Sequence, residues 1–196
     1  MNKRLPKTKL LVVPVILFVL LSHHMYAENS LTNLMLGLVG YLLLIMSAMG
    51  RIWASAYISG KKNKELVTDG PYSIVRNPLY FFSFLGFVGA GLVFESILIA
   101  TALAIIFFVT HWSTILKEED KLRTIFGQTF ENYAHNVPRF IPDPRKLNNP
   151  EVANFDPALF SKTVMESSLI LLVFAVAYID EWAYLNSVIP TLLYIP

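Results

Sequence analysis

Two short hydrophilic segments of this 196-residue chain carry residue types suited to anion binding and acid–base chemistry. The first segment ends in Arg76-Asn77-Pro78, directly before an apolar stretch. Asn77 is predicted to cap the following helix, with Pro78 at its first position. A helix N-terminus has free backbone N–H groups, so beside Arg76 it forms a natural carboxylate or phosphate site. The structural alternative, a turn with a helix cap, explains Asn77 and Pro78 but not Arg76.

The second hydrophilic segment opens with the acidic cluster Glu118-Glu119-Asp120. Its structural alternative is a solvated helix face, on which Glu119 and Arg123 would form an i, i+4 ion pair worth a few tenths of a kcal/mol. However, only Glu95-Ser96 separates the two apolar stretches between the segments, which predicts an antiparallel helical hairpin. At about 1.5 Å per residue, Pro78 lies level with about residue 113. Arg76 and the acids are therefore expected to converge at one membrane boundary.

The composition excludes several classes of protein. Hydrophobic residues make up 55% of the chain and charged residues 15%, against about 25% charged in a soluble domain, so neither a soluble globular domain nor a disordered tail fits. Cysteine is absent, which excludes disulfides, thiolate metal sites and a cysteine nucleophile. A net charge of +2 does not favour nucleic-acid binding. We expect neither a nucleic-acid partner nor a metal.

Five apolar stretches are candidates for membrane-crossing helices, which need roughly 20 residues each. The predicted fold is therefore an all-α integral membrane protein with about five transmembrane helices. Residues 1–142 form the predicted membrane core, which contains four spans at about 10–27, 31–52, 78–94 and 97–116. A Pro-rich connector, 143–158, precedes a C-terminal span and interfacial tail at 159–196. For residues 1–27 the alternative is a secretory signal, because basic residues precede a short apolar run and Ala27 offers a cleavage site.

The basic residues predict how the chain is oriented in the membrane. All 16 Lys and Arg residues fall within residues 3–9, 51–76 and 117–162. By the positive-inside rule, the N-terminus is cytosolic and the C-terminus is outside. The polar chemistry then belongs to two cytosolic loops, and the expected location is a multi-pass protein of a bacterial inner membrane with its site facing the cytosol.

Over roughly residues 50 to 142 the sequence resembles the membrane-embedded methyltransferases that include isoprenylcysteine carboxyl methyltransferase and phosphatidylethanolamine methyltransferase. Their hallmark is a Gly-x-Tyr turn, then Arg-His-Pro-x-Tyr, a helical hairpin, and a Glu-Glu pair followed by an aromatic and a Pro-containing tail. The counterparts here are Gly70 and Tyr72, Arg76-Asn77-Pro78-Leu79-Tyr80, Glu118-Glu119, Phe126-Gly127, Tyr133, and Pro138-Arg139-Phe140-Ile141-Pro142.

The resemblance implies methyl transfer from S-adenosylmethionine to a lipid-linked or small hydrophobic acceptor at the cytosolic membrane face. The accepting group would be a carboxylate, an amine or a thiol. By analogy, residues 70–80 hold the methionine end and adenosine, while Glu118 or Glu119 holds the amino group or faces the nucleophile. The implied catalytic residues are Glu118, Glu119 and Arg76. The implied cofactor-binding residues are Gly70, Pro71, Tyr72, Arg76, Asn77, Pro78, Tyr80, Glu118 and Glu119.

One departure from the family pattern bears on the chemistry. The usual histidine is Asn77 here, and an amide can hydrogen-bond but cannot shuttle a proton. Two other functions remain open from sequence. Membrane sterol reductases share a similar Arg-His-x-x-Tyr element but use a reduced nicotinamide cofactor, and a non-catalytic membrane subunit could retain the same scaffold.

Overall fold

The structure, a computed structural model, describes residues 22–24, 31–151, 155–186, 188 and 193–195. Two three-residue strands, β1 (Ser22–His24) and β2 (Leu193–Ile195), pair in parallel. Every other regular element of the described ranges is helical, which confirms the all-α prediction. The helices are α1 (Leu31–Ile58), α2 (Pro71–Ile74), α3 (Pro78–Val93), α4 (Ile97–Phe126), α5 (Gln128–Asn136), a 3-10 turn (Pro144–Lys146) and α6 (Pro157–Leu185).

Helices α1, α4 and α6 are long and apolar enough to cross a membrane, and the prediction of an integral membrane protein is confirmed. Helix α3 is apolar but has 16 residues, about 24 Å at 1.5 Å per residue, less than a hydrocarbon core of about 30 Å. The predicted first span, 10–27, lies outside the described residues except for 22–24, which form β1. Five spans and their orientation remain predictions.

Two helices extend well beyond the predicted span boundaries. Helix α1 continues past residue 52 to Ile58, and α4 continues past residue 116 to Phe126. The helices are longer than the predicted spans because hydropathy marks where the apolar run ends, whereas good helix formers, alanine in α1 and Lys and Glu in α4, continue the backbone hydrogen bonds. As a consequence, Arg51 lies inside α1 rather than in a loop, and the acidic cluster lies on α4.

The predicted hairpin between α3 and α4 is confirmed. Ser96 caps α4 by accepting a hydrogen bond from the Ile99 backbone N–H at 3.3 Å. Across the hairpin, the ring centroids of Tyr80 and His111 are 6.0 Å apart. This pairing is the expected register, in which Pro78 lies level with about residue 113.

Small residues allow α1 and α3 to approach closely. A Cβ on Gly89 would lie 2.9 Å from the Gly40 carbonyl oxygen, so only glycine fits this contact without a shift. Helix α6 packs on the same pair of helices, where Ala177 joins a buried cluster with Leu44 and Val93. The C-terminal span therefore belongs to the helical bundle.

Backbone hydrogen bonds attach the segment after α5 to the loop before α3. The Arg76 N–H donates to the Pro138 carbonyl at 2.8 Å, and the Asp143 N–H donates to the Ile74 carbonyl at 2.9 Å. Further along, the Gly70 N–H donates to the Asn148 carbonyl at 2.7 Å. The beginning of the Pro-rich connector thus runs beside α2, and both hydrophilic segments form one polar layer at the end of the bundle.

Candidate functional site

A buried carboxylate joins the two hydrophilic segments. The Glu119 side chain is 3% exposed, and its Oε2 accepts from Arg76 Nη1 at 3.2 Å and from Arg139 Nε at 3.0 Å. Its Oε1 accepts from Asn77 Nδ2 at 2.8 Å. We call Arg76, Asn77, Glu119 and Arg139 the Glu119 network. Because charge-assisted hydrogen bonds are short and strong, this network fixes the start of α3 against α4 and the tail.

The Asn77 side chain has a different role from the predicted one. Asn77 stands at the N-cap position and Pro78 follows it, but the Asn77 side chain makes no capping hydrogen bond. Its amide instead donates to Glu119 and to the Arg139 carbonyl oxygen, at 3.1 Å in the second case. The predicted N-cap position is therefore confirmed, but the side-chain amide donates to two acceptors distant in sequence, and its oxygen does not accept from the N–H groups of α3.

The predicted exposed pair of Glu119 with Arg123 is also wrong. Glu119 points into the protein, and Arg123 forms ion pairs with Asp120 at 2.7 Å and with Glu131 at 2.5 Å. Glu131 lies on α5, which the Gly127 turn brings back alongside the end of α4. The alternative interpretation, a solvated helix face, therefore holds for Asp120 and Arg123 but not for Glu119.

A cavity of about 480 Å³, here called the loop cavity, lies beside the Glu119 network. This volume falls within the range of about 300–1,000 Å³ that is typical of small-molecule sites. Its walls come from the loop after α1, from the start of α3, from the polar end of α4 and from α5. Among the residues that line it are Lys62, Leu66, Tyr72, Arg76, Asn77, Pro78, Tyr80, Thr114, Lys117, Glu118, Lys121 and Tyr133.

Glu118 and Glu119 are neighbours in sequence with opposite surroundings. Glu118 lines the loop cavity, its side chain is 39% exposed, and its Oε1 lies 3.5 Å from Lys62 Nζ. Glu119 is buried and does not line the cavity. Arg76 contributes to both places, since it binds Glu119 through Nη1 while its Nε is buried without a hydrogen-bond partner among the described residues. The cavity thus has a carboxylate and a guanidinium among its lining groups.

Two tyrosines connect the cavity wall to the polar layer. The Tyr133 hydroxyl donates to the Tyr72 carbonyl oxygen at 2.8 Å. Burial raises the pKa of Tyr72 and of Tyr133 above the ordinary value, and for Tyr133 the nearby Arg76 acts in the opposite direction. Both phenols are therefore neutral at physiological pH.

The structure brings six of the sequence-predicted site residues to the loop cavity: Tyr72, Arg76, Asn77, Pro78, Tyr80 and Glu118. Gly70, Pro71 and Glu119 do not line it. Gly70 has φ +58°, and a Cβ there would lie 2.4 Å from the Tyr57 ring, so it serves a tight turn. The prediction did not assign Arg139 or the lysines. Arg139 stood in the quoted tail motif, whereas no spacing in the sequence singles out Lys62.

The described part of the chain contains no group of three or more His, Asp or Glu side chains placed to hold a metal ion. The predicted absence of a metal remains a prediction.

Comparisons with known proteins identify the family. Residues 29–129 match the phospholipid methyltransferase family, and the chain belongs to it. It is 40% identical over 131 residues to the nickel-cobalt-cadmium resistance protein NccN of Alcaligenes xylosoxydans xylosoxydans, covering 67% of this chain and 61% of that protein. It is 37% identical to the cobalt-zinc-cadmium resistance protein CzcN of Cupriavidus metallidurans, covering 67% and 60%.

A plant enzyme extends the similarity. The chain is 27% identical over 132 residues to protein-S-isoprenylcysteine O-methyltransferase B of Arabidopsis thaliana, covering 67% of each protein. The predicted resemblance to this group of membrane methyltransferases is confirmed. The chain spans about 60% of the length of the two metal-resistance relatives. No solved structure matches it significantly.

Proposed function

We propose that this chain transfers a methyl group from S-adenosylmethionine, held in the loop cavity, to a lipid-linked or small hydrophobic acceptor. The acceptor group is a carboxylate, an amine or a thiol. The observation that supports this proposal most directly is the position of the family motif residues. Five predicted site residues between Tyr72 and Tyr80 line one cavity of suitable size together with Glu118, which is distant in sequence, in a chain of the phospholipid methyltransferase family.

The side chains of the loop cavity fit the charges of S-adenosylmethionine. Its carboxylate would bind the Arg76 guanidinium, with Lys62, Lys117 and Lys121 adding positive charge. Its ammonium group would bind Glu118, and the tyrosine rings offer faces that attract cations. When bound, the molecule supplies an electrophilic methyl group on a positively charged sulfur.

The protein mainly has to bind, orient and exclude water in this reaction. Carboxylate and thiolate acceptors arrive without a proton to lose. An amine acceptor must lose one, and Asn77 cannot take it. Glu118 lines the cavity and is partly exposed, so it is the residue to receive that proton. Glu119 acts as a positioning residue, because its three partners occupy its oxygens.

Binding measurements on the purified protein test the donor site. We expect S-adenosylmethionine to bind with micromolar affinity, and Glu118→Gln to weaken it about tenfold, as for loss of one charge-assisted bond. Asp120→Asn is the matched control, because Asp120 lies on the same helix, is 70% exposed and does not line the loop cavity. Preference for a reduced nicotinamide dinucleotide, or binding of neither molecule, would overturn the proposal.

Membranes incubated with radiolabelled S-adenosylmethionine would identify the acceptor. We propose that labelling occurs from the cytosolic side of a bacterial inner membrane, since the basic residues cluster in the segments that form the polar layer. Sealed vesicles of opposite orientation distinguish the sides. Labelling only when the donor is supplied on the periplasmic side would overturn the orientation.

A further inference from the structure

A pocket of about 250 Å³ lies at the end of the bundle opposite the polar layer. We call it the hairpin pocket, because Glu95 of the turn between α3 and α4 is part of its wall. The rest of the wall comes from the first turns of α1, the end of α3 and the last turns of α6. Asn33 lines this pocket and Ile58 lines the loop cavity. The stretch of α1 between them is about 37 Å long at 1.5 Å per residue, so the two sites lie on opposite sides of a hydrocarbon core of about 30 Å.

One wall of the hairpin pocket contains a buried hydrogen-bond acceptor. Asn33 is 5% exposed, and its Oδ1 is buried without a hydrogen-bond partner among the described residues. Buried polar atoms are nearly always hydrogen-bonded, because leaving one unsatisfied costs its lost hydration. A ligand that brings an N–H or O–H donor into the pocket would therefore be stabilised there.

The charges around this acceptor are negative. Glu95 and Glu181 both line the pocket. A Cβ on Gly37, one turn after Asn33, would lie 3.8 Å from Glu95 Oε1, so this carboxylate packs over α1 next to the Asn33 turn. The lining residues fall within 33–41, 93–95 and 174–181, and the sequence has no Lys or Arg in 10–50, 77–116 or 163–196. This acidic wall suits a cation, and its carboxylates accept strong hydrogen bonds from cationic N–H groups.

Aromatic and aliphatic side chains make up most of the remaining wall. The ring centroids of Tyr41 and Phe174 are 4.5 Å apart with their planes tilted by 43°. Phe174, Tyr178 and Glu181 lie at helical spacing along one face of α6. Aromatic faces attract cations, and Leu38 adds a surface for an alkyl group. Hard metal ions instead take six or more oxygen ligands, so this mixed wall favours an organic cation.

We propose that the hairpin pocket binds a small primary alkylammonium ion. Its N–H groups donate to Asn33 Oδ1 and to the carboxylates of Glu95 and Glu181, and its alkyl part packs against the rings of Tyr41 and Phe174. A quaternary ammonium ion has the same charge but no N–H, so it would leave Asn33 unsatisfied. The hairpin pocket and the loop cavity share no lining residue, and the proposal therefore does not depend on methyl transfer.

Photocrosslinking with methyldiazirinyl-ethylamine, a small photoreactive primary amine, tests this site in the full chain embedded in lipid nanodiscs. The crosslinks should map to 33–41 of α1 or to 174–181 of α6. Excess butylammonium should remove them. Butyltrimethylammonium, which has no N–H, and butanol, which has no charge, should each compete about tenfold less well. The assay contains no methyl donor, so its outcome is separate from that of the donor-binding measurements.

Three variants connect the labelling to the pocket. Glu181→Gln and Asn33→Leu should each reduce labelling about tenfold. Gly37→Leu should block the pocket while leaving its polar groups in place. A Cβ at Gly37 meets only an ordinary contact, so this variant keeps the test valid if Asn33→Leu folds poorly. Asp120→Asn is the matched control, because it removes one exposed carboxylate at the other end of the bundle.

Three results would overturn the proposal. The first is labelling that is unchanged in both Glu181→Gln and Gly37→Leu. The second is competition by butyltrimethylammonium or butanol that equals competition by butylammonium. The third is removal of the labelling by zinc chloride but not by butylammonium, which would make the pocket a metal site.

Discussion

Arg51 and Arg76 occupy the two polar regions of the bundle, and their partners differ. The Arg76 guanidinium binds a carboxylate that is 3% exposed, and two more residues bind the same carboxylate. The Arg51 guanidinium binds one serine hydroxyl inside an apolar wall. In the first region the positive charge is matched by the protein itself, so it supports the fold. In the second region the direct partner is a neutral hydroxyl, and the carboxylate that acts on Arg51 electrostatically is the partly exposed Glu166 of α6.

The largest effect is expected from removing the negative charge of the Glu119 network. Glu119→Gln leaves Arg76 and Arg139 without their carboxylate and should lower the free energy of unfolding by about 3 kcal/mol. Denaturant titration of the protein in mixed micelles measures this free energy of unfolding. Asp120→Asn, on the exposed face of the same helix, should change the same quantity by less than about 0.5 kcal/mol. A loss of similar size in both variants would mean that burial of Glu119 is not what matters.

Exchanging each arginine for glutamine tests the comparison directly. Arg76→Gln should weaken S-adenosylmethionine binding about tenfold, because it removes a guanidinium that lines the loop cavity. Arg51→Gln should leave that affinity within about twofold, since Arg51 does not line the loop cavity. Calorimetric titration of both variants decides the question. If Arg51→Gln proves the more damaging of the two for donor binding, the two arginines do not have the separate roles assigned here.

A smaller effect is expected from the phenol that joins the cavity wall to the polar layer. Tyr133→Phe removes the hydrogen bond to the Tyr72 carbonyl and should cost about 1 kcal/mol of stability. The stability of the wild type should also fall above about pH 10, because there the unfolded chain ionises its phenols while burial keeps Tyr133 protonated. Unfolding titrations between pH 8 and about pH 11 should show a shallower decline for Tyr133→Phe.

The smallest effect concerns the exposed ion pair at the cavity edge. Lys62 is 69% exposed and lies 3.5 Å from Glu118, so Lys62→Ala should change stability by less than about 0.5 kcal/mol. Its effect on donor affinity should be modest and should disappear at high salt, because exposed charges are screened. An affinity loss that is independent of salt would assign Lys62 a direct contact with the donor.

The sequence predicted the meeting of Arg76 with the acidic segment from hairpin geometry alone. Counting equal residues outward from the Glu95-Ser96 turn needs only the helical rise, and the pairing of Tyr80 with His111 confirms the register. The sequence did not predict whether Glu118 or Glu119 faces the loop cavity. Residues 118 and 119 are adjacent, so a rotation of about 100° per residue decides between the two sides of α4, and that rotation is set by packing.

Composition and hydropathy by themselves determined that this chain is a helical membrane protein, and motif order determined its family. These properties depend on short-range patterns, which the linear sequence displays. The tertiary structure alone decided that Asn77 turns from its own helix to Glu119, and that Glu119 is buried while Glu118 lines the loop cavity. Each of these depends on groups far apart along the chain, whose distances are fixed only when the helices pack.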